Sequence, residues 1–178
     1  MRVIAGSCRG RPLKAPAGGA TRPTGDRVRE AIFDILGSLL DLEGATVADL
    51  FAGSGALGIE ALSRGAASCT FVDDAPAALA AITENLDALG LAERSVVVRR
   101  DVLAFLEGEH HFAVALCDPP YEFTAWEVLL GRLSASVAVL ESRRPVAVPA
   151  GWGVIRHKRY GDTLVTVVRS PGAPQVAP

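Results

Sequence analysis

The sequence has few cysteines and no long apolar run, and each shortage excludes a class of protein. The three cysteines among its 178 residues, Cys8, Cys69 and Cys117, lie far apart and form no CxxC pair. This spacing argues against a disulfide framework and a zinc site, so we expect a cytoplasmic protein without a metal. No apolar run reaches the roughly 18 residues of a membrane span. The first residues lack the apolar segment of a signal peptide, and we expect no membrane partner.

Lysine is also scarce, because only Lys14 and Lys158 accompany the arginines. Arginine suits bidentate phosphate contacts, although the same bias can follow from genome composition. The net charge of −2 conceals an asymmetry, since residues 1–30 carry +5 and residues 31–178 carry −7. A basic end on an acidic body predicts local contact with a polyanion.

From residue 46 onward the sequence alternates between strand-like and helix-like segments. Before that point we expect a short hairpin over 2–14, a loop over 15–23, and a helix with Thr24 at its N-cap. Strands are predicted at 46–51, 68–72, 94–98, 112–117 and 137–140, and two more within 152–169, turned at 160–162. Helices are predicted from the glycine turn to about 64 and at 75–89, 101–107 and 124–133. This order predicts an α/β fold, a doubly wound, Rossmann-like, mostly parallel sheet with an antiparallel C-terminal strand.

A glycine-rich turn, GSGALG at 53–58, follows the first strand of the alternation and fits the G-x-G-x-x-G nucleotide-binding pattern. Asp73, at the end of the next strand, can accept hydrogen bonds from both hydroxyls of a ribose. These features indicate a ligand that contains adenosine, either a nicotinamide cofactor or S-adenosyl-L-methionine. A turn that serves strand–helix packing alone is the alternative interpretation.

Two further carboxylates bear on which ligand is bound. Asp49 precedes Gly53 by four residues and can reach a ligand ammonium group, whereas it would repel a pyrophosphate. This favours S-adenosylmethionine over a dinucleotide. Asp101 can accept a hydrogen bond from an adenine amino group, with Val102 packing on the ring. A helix-capping role for Asp101 is equally compatible with the sequence.

A second motif, Asp118-Pro119-Pro120-Tyr121, follows the fourth predicted strand of the alternation. The lone pair of an aromatic amine is delocalised into its ring, so the amine is a poor nucleophile. The Asp118 carboxylate and the Pro119 carbonyl can accept its two hydrogens and direct the lone pair at a methyl donor. The prolines fix the loop, and Tyr121 can stack on an extruded base. The motif predicts methyl transfer to an amino group, unless it is an ordinary Pro-Pro turn.

Most of the chain resembles the bacterial small-subunit (16S) ribosomal RNA guanine-N2 methyltransferases. The resemblance is carried by RVIAG at 2–6, RGRPL at 9–13, RPTGDRVRE at 22–30, the segment 49–65, and DPPY at 118–121. It implies a class I methyltransferase fold, S-adenosyl-L-methionine as the donor, and a guanine of 16S RNA in an assembled or partly assembled 30S particle as the target. The pair Asp73-Asp74 departs from the family pattern, in which a longer Glu often takes the place of Asp73.

The resemblance also implies residue roles. The cofactor-binding candidates are Thr24, Arg27, Asp49, Phe51, Ala52, Gly53, Ser54, Gly55, Asp73, Asp101 and Val102. The RNA-binding candidates are Arg2, Arg9, Arg11, Lys14 and Arg22. The catalytic candidates are Asp118, Pro119, Pro120 and Tyr121. We expect an RNA-binding hairpin and loop over 1–22, a methyltransferase domain over 23–170, a mobile tail over 171–178, and a monomer.

Three other functions remain open at this stage. An adenine-N6 DNA methyltransferase shares the DPPY loop, but 178 residues leave no room for a separate target-recognition domain. An NAD-dependent oxidoreductase conflicts with Asp49. A non-catalytic RNA-binding module conflicts with the intact DPPY loop. His110 and His111 are expected in a solvated loop, and Cys117 is expected to face the core. Trp126 and Trp152 are expected to be packing residues, with a position at the border of the base pocket as the alternative for either.

Overall fold

The computed structural model describes residues 1–17 and 25–171. Its helices are α1 (Asp26–Leu39), α2 (Ala56–Ser63), α3 (Pro76–Leu89), α4 (Val102–Phe105) and α5 (Trp126–Arg132). Its strands are β1 (Thr46–Leu50), β2 (Ser68–Asp73), β3 (Ser95–Arg99), β4 (Phe112–Cys117), β5 (Ala135–Ser142), β6 (Gly153–Tyr160) and β7 (Thr163–Arg169). The predicted alternation of strands and helices is confirmed.

The strands form one seven-stranded sheet in the order β3-β2-β1-β4-β5-β7-β6. Strands β1 to β5 are parallel, whereas β7 runs antiparallel to both β5 and β6. The predicted fold class is therefore confirmed. The strand order reverses direction between β1 and β4, and in such sheets ligands bind beyond the carboxyl ends of the strands at this point.

Both faces of the sheet are buried, which explains why its central strands are mostly apolar. Side chains alternate between the faces of a strand. In β4, Val114 and Leu116 join the cluster that contains α1, α2 and α3 side chains. Ala115 and Cys117 join the cluster on the opposite face, with α4 and α5. The expected burial of Cys117 is thus confirmed.

The predicted N-terminal hairpin is present as a short pair of segments. The Val3 N–H donates to the Arg11 carbonyl at 3.0 Å, and the Gly10 N–H donates to the Val3 carbonyl at 2.8 Å. Val3 and Leu13 are buried in the same cluster as α2 side chains. The hairpin therefore packs on the body of the protein through apolar contacts.

Element boundaries differ from the sequence prediction at several ends. Helix α1 begins at Asp26 with Gly25 as its N-cap, and no side chain caps it. The predicted cap, Thr24, lies outside the described residues, as do Arg22 and the tail from 172 onward. Helix α4 is a single turn, shorter than the predicted 101–107. In the described part of the chain, every helix is too short or too polar to cross a membrane.

Candidate functional site

A pocket of about 290 Å³ opens at the carboxyl ends of β1, β2 and β4. Its walls come from Phe51 directly after β1, from the ends of β2 and β3, and from the loop after β4. They are formed by Phe51, Asp73, Asp74, Arg100, Asp101, Val102, Pro120 and Phe123. The structure thus brings residues predicted to bind a cofactor together with one residue of the predicted catalytic loop.

The glycine turn has the tight geometry that its sequence predicts. Gly55 has a φ of +76° and forms the N-cap of α2, and its N–H donates to the Ala52 carbonyl at 2.7 Å. A Cβ at Gly58 would lie 2.4 Å from the Phe71 ring. Gly58 is therefore required for the close packing of α2 on β2. The turn thus has a role in strand–helix packing. The binding role of Gly53 and Ser54 stays a prediction.

Asp73 supports the glycine turn directly. One carboxylate oxygen accepts the Gly53 N–H at 2.8 Å, and the other accepts the Ala75 N–H at 2.9 Å. Each carboxylate oxygen has a second lone pair. Since Asp73 also lines the pocket, its carboxylate retains the capacity to accept hydrogen bonds from two ribose hydroxyls.

Asp49 is buried in β1, and its carboxylate accepts the Gly58 N–H at 2.8 Å. Burial raises the pKa of this carboxyl well above its ordinary value, and the nearby negative charges of Asp118 and Asp73 raise it further. The bond from Gly58 opposes these effects. A ligand ammonium group beside Asp49 would favour its charged form and lower the pKa. The predicted contact with an ammonium is therefore electrostatically consistent.

Asp101 forms the N-cap of α4, where its carboxylate accepts the Ala104 N–H at 2.9 Å. The capping role considered from the sequence is confirmed. Asp101 also lines the pocket next to the buried Val102. Recognition of an adenine by this pair stays a prediction.

Phe51 has an unusual backbone conformation at the floor of the site. Its φ is +63°, and among the described residues every other positive φ belongs to a glycine. A bulky residue in this region carries strain that often accompanies a functional site. The Phe51 ring packs edge-on against Phe123 with centroids 5.1 Å apart, and Phe123 packs likewise on the buried Trp126. These rings form an aromatic wall.

The predicted catalytic loop begins immediately after β4. The Asp118 N–H donates to the Leu50 carbonyl at 3.4 Å, which joins the loop to the end of β1. The Phe123 N–H donates to the Pro120 carbonyl at 2.9 Å and closes the turn. Tyr121 is 45% exposed, and the Arg143 guanidinium lies 3.6 Å from the centroid of its ring. Tyr121 is therefore accessible at the rim.

Three residues that shape the site were not predicted from the sequence. Phe123 belongs to the aromatic wall. Its position two residues after Tyr121 in the sequence was a signal that could have identified it. Asn85 donates to the Ser54 carbonyl at 2.9 Å and to the Lys14 carbonyl at 3.0 Å, joining the hairpin to the glycine turn. Arg143, which covers Tyr121, lies 22 residues further along the chain.

A buried carboxylate attaches the predicted RNA-binding hairpin to the body. Glu60 in α2 accepts the Ile4 and Ala5 N–H groups at 2.8 and 2.9 Å, and the Arg64 guanidinium at 2.8 Å. Arg29 lies 3.8 Å from the same carboxylate and also donates to the Arg2 carbonyl. The hairpin is held by both apolar packing and buried charge.

The described RNA-binding candidates and the cofactor candidate Arg27 do not line the pocket. Arg2 is 3.9 Å from Asp26, Lys14 pairs with Glu84, and Arg11 donates to the Ala88 carbonyl at 2.7 Å. Arg9 is exposed on the turn of the hairpin. Arg27 is exposed in the first turn of α1. No group of metal-ligating side chains occurs among residues 1–17 and 25–171.

The parallel sheet with its antiparallel end, the glycine turn followed by an acidic strand end, and the DPPY loop together define a class I methyltransferase, a class whose methyl donor is S-adenosylmethionine. The chain belongs to the family described as "Conserved hypothetical protein 95", whose profile matches residues 1–169.

Relatives and solved structures agree with this assignment. The Bacillus subtilis protein YlbH is 40% identical, with 97% of this chain and 100% of that protein covered. The Escherichia coli ribosomal RNA small subunit methyltransferase D is 36% identical, with 91% and 86% covered. The solved structure of Escherichia coli yhhF superposes with a TM-score of 0.84 at 34% identity, covering 96% of this chain and 97% of that one. The resemblance drawn from the sequence is confirmed.

Proposed function

We propose that the protein transfers a methyl group from S-adenosylmethionine to the exocyclic N2 amine of one guanine in 16S ribosomal RNA, in the cytoplasm, within the 30S subunit or an assembly intermediate. One observation carries this proposal: Pro120 of the DPPY loop lines the same pocket as Phe51, Asp73 and Asp101. The loop that carries the proposed amine acceptors therefore adjoins the cavity that contains the nucleoside-binding carboxylate. The name of the Escherichia coli relative supports small-subunit RNA as the substrate.

The pocket residues fit the donor chemically. S-adenosylmethionine would supply an electrophilic methyl group on a sulfonium, between an adenosine and an amino acid end. Asp73 would accept from the ribose, while Asp101 and Val102 would hold the adenine against the aromatic wall. The Asp49 carboxylate contacts the glycine turn, where it accepts a hydrogen bond from the Gly58 N–H. It would favour the ammonium of the amino acid end.

Thr24 and Arg27 are proposed to close over that same end. The other turn residues, Phe51, Ala52, Gly53, Ser54 and Gly55, would line the donor with backbone and ring atoms. Their rigid turn geometry and the strained Phe51 mean that little ordering is required on binding. Preorganisation of this kind lowers the cost of binding.

The DPPY loop is proposed to activate the guanine amine. Asp118 and the Pro119 carbonyl would accept its two N–H groups, and this would concentrate the nitrogen lone pair toward the methyl group. Pro119 and Pro120 hold these acceptors in place, since their φ angles are fixed by their rings. Tyr121 would stack on the extruded base through its exposed ring. Acceptors that act in the transition state contribute on the order of 10²–10³ in rate.

The basic hairpin is proposed as a contact for the RNA backbone. Arg2, Arg9, Arg11, Lys14 and Arg22 would supply the charges, and the hairpin is fixed to α2 through Glu60. In this arrangement residues 1–22 bind RNA, residues 23–170 form the transferase domain, and the protein acts as a monomer.

The proposal is tested by donor titration and methyl transfer. Calorimetric titration with S-adenosylhomocysteine should show binding and titration with NAD should not, because Asp49 disfavours a pyrophosphate. Labelled S-adenosylmethionine should then label unmodified 30S particles or 16S RNA and leave DNA unlabelled. If the protein binds NAD and not S-adenosylhomocysteine, the result would favour an NAD-dependent oxidoreductase. If only DNA is labelled, the result would favour an adenine-N6 DNA methyltransferase.

A further inference from the structure

Besides the N-terminal hairpin, the chain has a second basic segment, which lies near the C-terminus. Residues 143–160 contain five arginines or lysines and no aspartate or glutamate. These residues are Arg143, Arg144, Arg156, Lys158 and Arg159, which we call the β6 basic edge. They carry +5, as do residues 1–30, while the whole chain carries −2. The rest of the protein is therefore strongly acidic, and the two basic regions stand out against it.

Strand β6 is the outermost strand of the sheet, and within the described residues it pairs with β7 alone. Arg156, Lys158 and Arg159 are all exposed on it. Since neighbouring side chains alternate between faces, Lys158 and Arg159 point to opposite sides of this edge. The charges thus surround an open strand edge and are accessible to a large partner.

The strand register places one end of this edge at the catalytic rim. Ser142, at the carboxyl end of β5, pairs with Leu164, which in turn pairs with Arg159. The neighbouring strand β4 ends at Cys117, directly before Asp118. Arg159 also donates to the Arg143 carbonyl at 3.5 Å, and Arg143 lies over the Tyr121 ring. The basic edge therefore starts at Tyr121 and continues along β6.

The described salt bridges distinguish these charges from two of the four cations in the hairpin. Arg2 and Lys14 pair with acidic side chains of their own chain. Within residues 1–17 and 25–171, no salt bridge includes any of the five residues of the β6 basic edge. Clustered and unpaired cations of one sign raise the local potential and attract a polyanion.

We infer that the β6 basic edge binds phosphates of the RNA strand that carries the target base, on the side of Tyr121 away from the donor pocket. Arg143 is the residue that joins this surface to the base-stacking position, because its guanidinium already lies on the Tyr121 face. A base and a flanking phosphate would then be held by adjacent side chains. This inference rests on the proposed function, since it takes RNA as the substrate.

The test compares the triple variant Arg156→Gln/Lys158→Gln/Arg159→Gln with the control Arg99→Gln. Arg99 is an exposed arginine on β3, the strand at the opposite edge of the sheet. The affinity for in vitro transcribed 16S RNA is measured over a range of salt concentrations. Each lost phosphate contact on a single strand flattens the slope of log K against log salt by about 0.7. We expect the slope to flatten by about two units in the triple variant. We expect no change of slope in the control.

Two further measurements separate a binding defect from misfolding. The triple variant should bind S-adenosylhomocysteine as the parent does, and the charge-retaining Arg156→Lys/Arg159→Lys variant should keep the parent's slope. Unchanged RNA affinity and slope in the triple variant would overturn the inference, as would a parent that binds no RNA. If the parent binds RNA through this edge but transfers no methyl group, the inference stands and the proposed function fails.

Discussion

The side chains of Arg29 and Glu60 are both fully buried, with the arginine Nε 3.8 Å from a glutamate oxygen. The same carboxylate accepts the backbone N–H groups of Ile4 and Ala5. One buried acidic residue of α2 thus fixes both α1 and the N-terminal segment. Burying charge in this way is tolerated because every oxygen of the carboxylate has donors.

Glu60→Gln should destabilise the protein, because it removes the buried negative charge beside Arg29 and Arg64, whereas the other acidic partner of Arg29, Asp26, is half exposed. Breaking a buried pair typically costs about 3–5 kcal/mol, which urea unfolding would measure. The matched control is Glu84→Gln, whose pair with Lys14 is more than half exposed. Exposed pairs contribute about 0–1 kcal/mol. Equal effects of the two substitutions would show that burial of Glu60 is not decisive.

Asp73→Ala should weaken donor binding by about ten- to a hundredfold, since charge-assisted hydrogen bonds contribute roughly 1.5–3 kcal/mol. The substitution also removes the acceptor of the Gly53 N–H, so the glycine turn loses an anchor. Calorimetric titration with S-adenosylhomocysteine measures the effect. Asp74→Ala serves as the comparison, and a larger loss there would move ribose binding to Asp74.

Asp49→Asn should stabilise the protein increasingly as pH rises above about 4. Burial raises the pKa of Asp49 in the folded state, while the unfolded value is about 3.9. The folded parent therefore binds more protons than the unfolded chain, and its stability falls as pH rises through the folded pKa. Asparagine does not titrate and can still accept the Gly58 N–H. Unfolding of both proteins at several pH values tests this, and a pH-independent difference would contradict it.

The same Asp49→Asn variant should bind the donor less well if Asp49 receives the ammonium group. Titration with S-adenosylhomocysteine, which retains that ammonium, is the measurement. A variant that gains stability and keeps full affinity would assign Asp49 a structural role alone, through its bond to Gly58.

Replacing Arg2, Arg9, Arg11 and Lys14 by glutamine should weaken RNA binding and leave donor binding intact. Each lost phosphate contact flattens the salt dependence by about 0.7–0.9, so four contacts would give at most about three to four units. Three of these side chains have partners in their own chain, so Arg9 should have the largest single effect. The control is Arg132→Gln, which removes an ion pair with Glu107 outside the hairpin. Identical salt slopes for the parent and the fourfold variant would exclude the hairpin as an RNA contact.

Much of the fold could be predicted because local patterns and topology agree. The bounds of β4 were predicted to the residue, and Gly90 ends α3 in a left-handed conformation as expected for a helix terminus. The glycine turn and the DPPY loop are local in sequence, and the rules for parallel sheets bring their strands to one rim. The pocket was therefore foreseeable from the order of the elements.

Other features depend on contacts between distant residues and leave no local signal. Glu60 and Arg29 resemble solvated charges on helices until the hairpin covers them. The positive φ of Phe51 is contrary to the preference of its residue type. The positive charge of the β6 basic edge is not evident from the net charge of residues 31–178, because acidic residues outnumber basic ones there. The net charge of a shorter segment such as 143–160 identifies it.

In the proposed reaction, the amine held by Asp118 is the N2 group of a guanine in small-subunit RNA. The most direct measurement is mass spectrometry of nucleosides, after unmodified 30S particles are incubated with the protein and S-adenosylmethionine and their RNA is digested. The Asp118→Ala variant, which should bind the donor but transfer about 10²–10³ more slowly, is run beside the parent, with Glu122→Gln as the control. We expect N2-methylguanosine with the parent and with the control, and almost none with Asp118→Ala. N6-methyladenosine as the product, or normal transfer by Asp118→Ala, would contradict it.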